Sequence, residues 1–132
     1  MSIFSIDPVI NRAQTLSSEF YLDENYFELS KEKLFSRSWQ LIGHRSEITG
    51  LSPKVFLEGF IDEQILLTLD DAKGLACISN VCTHRGKILV ETDCKADGIR
   101  CGYHGRTFSL DGRFRSMPEF DDAENFPAKT DD

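Results

Sequence analysis

Cys82-Thr83-His84-Arg85-Gly86 and Cys101-Gly102-Tyr103-His104-Gly105, with sixteen residues between His84 and Cys101, set the pattern from which the rest of the chain is read. Each segment offers one soft thiolate and one imidazole. Iron-sulfur sites built from four cysteines supply thiolates only, and the common zinc finger gathers its two cysteines at one end and its two histidines at the other. Here the donor types alternate along the chain. Gly86, Gly102 and Gly105 flank the donors, where backbone that bends sharply or passes close to inorganic sulfur needs a residue without a Cβ.

A 2Fe-2S cluster with two cysteines on one iron and two histidines on the other uses such a set. Cys82, His84, Cys101 and His104 are therefore the candidate cofactor-binding and metal-ligating residues; no catalytic residue is assigned. A Cys2His2 zinc site, and with it a zinc-stabilised interaction module, is the alternative. Iron and sulfide content and a red-brown colour separate the two. Neutral imidazoles in place of two thiolates remove negative charge from the ligand shell, so an added electron costs less. The potential then lies between about -150 and +300 mV rather than near -400 mV.

Working outward, residues 54–60 and 64–69 read as strands separated by Asp62-Glu63. Residues 70–74 form a turn, and a third strand over 75–79 leads into the first segment. A looser polar stretch over 90–96 runs through Asp97-Gly98 into Ile99-Arg100 and the second segment. Residues 107–110, a turn at Asp111-Gly112 and Arg113-Phe114 make a closing hairpin. Each donor segment thus sits at the end of a strand. Upstream, Asp23 is a good N-cap for one short helix, or two in tandem, over about 23–36, whose Phe and Tyr residues are expected to pack in a core. Residues 39–43 read as a strand with Trp39 as a core anchor. Residues 1–16 read as an extended arm. The last sixteen residues carry six acids against one lysine and read as a solvated acidic tail.

At 132 residues the chain accommodates one domain with an arm. The division expected is an arm and helical segment over 1–38, a metal-binding domain over 39–120 and an acidic tail over 121–132. A net charge of -7 argues against nucleic acid or an anionic membrane as the main partner. The start of the chain has neither a positive n-region nor a long apolar run, and no stretch approaches the roughly 18 to 20 apolar residues of a membrane span, so a cytoplasmic location is expected. Cys77 and Cys94 read as free thiols in that setting, Cys77 packed within an apolar run and Cys94 exposed.

The two segments resemble the Rieske family. Asn80-Val81-Cys82-Thr83-His84-Arg85-Gly86, Tyr103-His104-Gly105 and Leu110-Asp111-Gly112 look like the aromatic-ring-hydroxylating (Rieske non-haem iron) oxygenases. The capped helix and Ser38-Trp39-Gln40-Leu41-Ile42-Gly43-His44 are similar to the N-terminal region of their alpha subunits. The resemblance covers residues 20–120 and implies a mainly β fold. This is a small antiparallel β-sandwich or barrel of Rieske type, with the cluster-binding loops at one tip and a short N-terminal helical segment. By that match Cys82 and Cys101 bind one iron, and His84 and His104 the other.

Respiratory and photosynthetic Rieske proteins are a poorer match, because Lys87 and Tyr103 stand where their loops carry a disulfide. Arg106 and Phe108 replace the serine and tyrosine that raise their potential, so the low end of the Rieske range is expected. Two positions also depart from the oxygenases, which usually have proline at Gly102 and often tryptophan at Arg106; a more polar surface beside His104 is expected from this. In the oxygenases the cluster feeds a mononuclear iron held by two histidines and a carboxylate, often across a subunit boundary in a trimer. This chain has three histidines. Once His84 and His104 are assigned only His44 remains, read as structural, so the oxygen-activating iron lies outside this chain.

The function implied is one-electron transfer, as the electron-delivering part of an oxygenase alpha subunit. The expected partners are a reductase or ferredoxin as donor and a non-haem iron oxygenase domain as acceptor. A free-standing Rieske ferredoxin is the alternative, disfavoured by the helical lead-in over 20–38.

Overall fold

The computed structural model describes residues 4–120 and 122–128. The first three residues of the expected arm, and Asp121 and residues 129–132 of the expected acidic tail, lie outside them. The chain divides into two units, Met1–Leu41 and Ile42–Asp132.

In the first unit, α1 (Ser18–Leu22) precedes α2 (Glu24–Lys33), and a 3-10 turn follows at Phe35–Arg37. Asp23 caps α2 as expected, its carboxylate accepting from the Asn25 N–H at 2.8 Å, one of the donors a helix start leaves without an intrahelical partner. Lys31 and Lys33 in the last turn complement the negative end of the helix dipole. The aromatic rings of Phe4, Phe20 and Tyr26 meet at 4.9 to 5.7 Å. Core packing fails for Phe27 and Leu34, which are at least half exposed. A stretch of about forty residues encloses little core of its own. Residues 39–43 join no sheet among the described residues, and Trp39 is fully exposed rather than a core anchor. A short apolar run has strand character only where a neighbouring strand takes its N–H and C=O groups.

The second unit holds two three-stranded antiparallel sheets. The first, in the order β1-β2-β3, comprises β1 (Leu51–Phe56), β2 (Glu63–Asp70) and β3 (Gly74–Ser79). β1 starts and ends three to four residues earlier than its sequence suggests, because Leu57 adopts a positive φ of 49° and Asp62 one of 60°; the Asp62 carboxylate closes the turn by accepting from the Gly59 N–H at 2.7 Å. Pro53 is tolerated because β1 is an edge strand. In β2 three consecutive residues, Leu66, Leu67 and Thr68, are buried, so this central strand is covered on both faces. The second sheet comprises β4 (Ile99–Arg100), β5 (Thr107–Phe108) and β6 (Phe114–Ser116).

The β5–β6 turn locks onto the first sheet. The Thr68 hydroxyl donates to the Leu110 carbonyl at 2.6 Å, Lys73 pairs with Asp111 at 2.8 Å, and a Cβ on Gly112 would lie 3.2 Å from Ile78. The stretch 90–96 is also less loose than expected: Leu51 and Cys94 exchange both backbone hydrogen bonds, at 2.7 and 3.0 Å. His44 is structural, capping the 3-10 turn Arg45–Glu47, with the Glu47 carboxylate returning to the His44 N–H. The core joins Leu51, Leu66, Val90, Ile99, Phe108 and Leu110 to two cysteines, Cys82 and Cys101. Among the described residues no helix is long and apolar enough to cross a membrane.

Candidate metal centre

The two donor segments fold into the same backbone loop. In the first, the Cys82 N–H donates to the Lys87 carbonyl at 2.8 Å and the Gly86 N–H to the Cys82 carbonyl at 3.0 Å; in the second, Cys101 donates to Arg106 at 2.8 Å and Gly105 to Cys101 at 3.1 Å. In both, the residue four after the cysteine is a glycine with positive φ, 69° at Gly86 and 76° at Gly105, a conformation L side chains rarely adopt. At Gly105 space matters too, since a Cβ would meet Pro118 at 3.1 Å. Gly102 does not share this need: its φ is not positive and a Cβ there meets nothing within 4 Å. The histidine stands two residues after the cysteine in one loop and three after it in the other, so equivalent loops deliver their imidazoles from different positions.

The loops come together by donor type. The Cys82 and Cys101 thiols are near enough to shift each other's ionisation, and the imidazole rings of His84 and His104 lie 4.8 Å apart. Among the described residues no three His, Cys, Asp or Glu side chains converge on one ion position. Two pairs, one of sulfur and one of nitrogen, suit two adjacent irons better than one tetrahedral zinc. Both thiols are buried at the end of the core, and both imidazoles are partly exposed.

Backbone N–H groups aim at the sulfurs, from His84 to Cys82 and from Tyr103 and His104 to Cys101. Burial pushes the Cys82 thiol up. At Cys101 burial acts the same way, but the N–H of Tyr103, the neighbouring Cys82 thiol, the N–H of His104 and the Lys87 charge outweigh it, so Cys101 ionises first. Burial, then the neighbouring His104, Arg85 and Arg106, hold His84 below the usual histidine range, which keeps its ring neutral and able to accept a metal.

The donor set fits a bound cluster at one buried polar atom. His104 Nδ1 is buried and makes no hydrogen bond. Such an atom costs stability unless something takes its lone pair or proton. With two paired thiols and a second imidazole beside it, a two-iron group satisfies all four donors.

Two residues that carry the loops were not expected to do so. Asn80, 1% exposed, grips the chain after the first loop, donating from its amide to the Val90 carbonyl at 2.8 Å and accepting from the Val90 N–H at 3.0 Å. Its place directly before Val81-Cys82 was the only available signal. Arg106 is not on the surface, contrary to expectation. It is 3% exposed, with its guanidinium 4.8 Å from the Phe114 ring, 5.7 Å from Phe108 and 5.8 Å from Phe126. A planar cation stacks in an aromatic cage where a point charge would not, which suits it to the place where the oxygenases often have tryptophan. An open cleft of about 720 Å³ lies over the imidazoles, lined among others by Arg85, Arg100, Tyr103 and Phe120.

The family profile of the Rieske [2Fe-2S] domain matches residues 38–127, and the chain belongs to this family. It carries a Rieske-type 2Fe-2S cluster, and the zinc alternative is not favoured. Among curated proteins, the chain is 37% identical over 115 residues to the carnitine monooxygenase oxygenase subunit of Escherichia coli (strain K12), which covers 86% of this chain and 30% of that protein. It is 30% identical over 118 residues to the chlorobenzene dioxygenase subunit alpha of Cupriavidus sp. (strain PS12), covering 88% of this chain and 25% of that one. Among solved structures, the quaternary ammonium Rieske monooxygenase CntA in complex with L-carnitine superposes with a TM-score of 0.76 at 33% identity, over 90% of this chain and 34% of CntA. The mainly β, antiparallel Rieske architecture is thus shared. The chain spans about a third or less of the length of these relatives.

Proposed function

We propose that this chain is the electron-delivering Rieske domain of an oxygenase alpha subunit, with Cys82 and Cys101 on one iron and His84 and His104 on the other. The observation that carries the assignment is the pairing of like donors by two equivalent loops, with His104 Nδ1 buried and unpartnered. The cluster, when bound, takes up and releases single electrons. The residues around it do the rest: N–H groups of the loops stabilise the sulfurs, the core end excludes water from the thiolate pair, and the partly exposed imidazoles face the cleft where an electron partner can approach. The donor is a reductase or ferredoxin and the acceptor a mononuclear non-haem iron in a separate oxygenase domain, within an oligomer in the cytoplasm. The oxygenase-subunit relatives support this reading over a free-standing Rieske ferredoxin.

Purified protein is expected to contain two irons and two sulfides per chain and to be red-brown. Neither a serine nor a tyrosine hydroxyl stands two or four residues after His104, so the midpoint belongs at the low end of the Rieske range, and a value above about +150 mV contradicts the reading. His104→Cys replaces an imidazole by a charged thiolate and should lower the midpoint and change the visible spectrum. An unchanged spectrum and potential would show that His104 is not a ligand.

A further inference from the structure

The segment expected to be a solvated tail is tied to the metal loops, directly at Pro118 and Phe120 and, through Phe126, by one buried side chain, Arg106. Met117 is buried, Pro118 lies against Gly105, and the Phe120 ring stands 6.3 Å from the His84 ring. Phe120 packs on Phe126 at 5.0 Å, and Phe126 packs on Phe114 at 5.1 Å and caps the Arg106 guanidinium. Arg106 begins the other end of this chain of contacts: it follows His104 by two residues, and its carbonyl closes the second loop by accepting from the Cys101 N–H. The described acids of the segment, Glu119, Asp122 and Glu124, are exposed, and Glu119 lines the cleft over the imidazoles beside Phe120, so the strap brings both aromatic and acidic groups to the rim of the site.

We propose that Arg106 is a positioning residue, whose caged guanidinium clasps the strap formed by residues 117–120 and 122–128 against the two loops and so keeps water from one side of the His84 and His104 imidazoles. The proposal rests on the cluster assignment above and adds to it a role for residues that no ligand pattern singles out. Its physical basis is that a flat group filling the space among several rings excludes water and holds them together, to which the guanidinium charge, out of water, adds a stronger attraction than in solvent. The Arg106 guanidinium lies within 5.8 Å of three ring centroids, and a planar guanidinium can stack on aromatic faces, whereas a lysine offers one compact, strongly hydrated charge. A tryptophan fills the same cage with a flat ring and no charge.

The test uses the cluster-loaded chain, with Arg106→Ala, Arg106→Lys, Arg106→Trp and Phe126→Ala. Iron, sulfide and the spectrum of the reduced wild-type cluster first establish the cluster; if these fail, the assignment of the previous section fails and the clasp is refuted with it. With the cluster established, solvent deuterium coupling to the reduced centre in D2O and amide exchange over 117–128 report the strap. Arg106→Ala and Phe126→Ala are expected to increase the deuterium coupling and to speed exchange at least tenfold. Arg106→Trp should restore wild-type values and Arg106→Lys should not. Phe126 lies outside both loops, so Phe126→Ala keeps the cluster even if Arg106→Ala does not fold. Unchanged deuterium coupling and exchange in a fully loaded Phe126→Ala protein, or equal rescue by lysine and tryptophan, overturns the clasp.

Discussion

Asn80 shows how much a single uncharged side chain contributes to a metal loop. Its amide satisfies both the donor and the acceptor of the buried Val90 backbone, and that grip sets where the chain leaving the first loop re-enters the core. Asn80→Ala strands both backbone groups, each worth about 1 to 3 kcal/mol when buried and unmet. A loss of about 2 to 6 kcal/mol in denaturant unfolding is therefore expected, with cluster release at lower denaturant than in the wild type. The loop glycines form a graded series at the same scale. Gly86→Ala incurs the strain of a positive φ, about 1 to 2 kcal/mol. Gly105→Ala adds contact with Pro118 and should be more destabilising, and Gly102→Ala should be near neutral. Thermal unfolding of the three variants gives the order, and a Gly102→Ala protein as unstable as Gly105→Ala would refute it.

The β5–β6 hairpin shows how elements, rather than residues, align the two sheets. Its turn carries Asp111, whose carboxyl is held well below the usual carboxylate range, first by Lys73 on the β2–β3 turn and then by the Ser109 hydroxyl. A depressed folded-state pKa means that the unfolded chain binds a proton first as pH falls. The contribution of this contact is thus fully present above the ordinary aspartate range and disappears as pH drops through the lower folded value. Asp111→Asn should leave a flatter stability profile below about pH 4, read by urea unfolding at a series of pH values; an unchanged acid limb would show that the pair does not couple the sheets. The Leu51–Cys94 bridge has the corresponding role on the other side. A Cβ on Gly50 would collide with the Cys94 carbonyl, and that close approach is why the polar stretch over 90–96 lies along β1.

Across the whole molecule the four cysteines divide by environment. Cys82 and Cys101 end the hydrophobic core, whereas Cys77 and Cys94 are exposed free thiols. Cys77 falls in an apolar run, but it lies on the outward side of edge strand β3, where alternate residues face solvent. The native, cluster-loaded protein should therefore modify two thiols with a maleimide and four after unfolding and chelation. Cys77 should react slowly at neutral pH, because partial burial pushes its thiol up. Two fast-reacting thiols that include Cys82 or Cys101 would contradict the arrangement.

Local chemistry was legible along the chain: the alternating Cys and His donors, the Asp23 cap, the turns at 70–74 and at Asp111-Gly112, and the strands beside the loops all depend on near neighbours. These follow from the conformational preferences and donor types of adjacent residues; they pointed to a two-iron cluster with zinc as the alternative, and the Rieske architecture came from the resemblance of the two loops to that family. Tertiary structure alone decided the rest. Trp39 proved to be solvent-exposed, Cys77 faced outward, Arg106 entered an aromatic cage, and the acidic segment turned Phe120 and Phe126 back toward the loops. In each case the outcome depends on which distant surface is available to cover a side chain, and burial is a property of the assembled fold that no local pattern encodes.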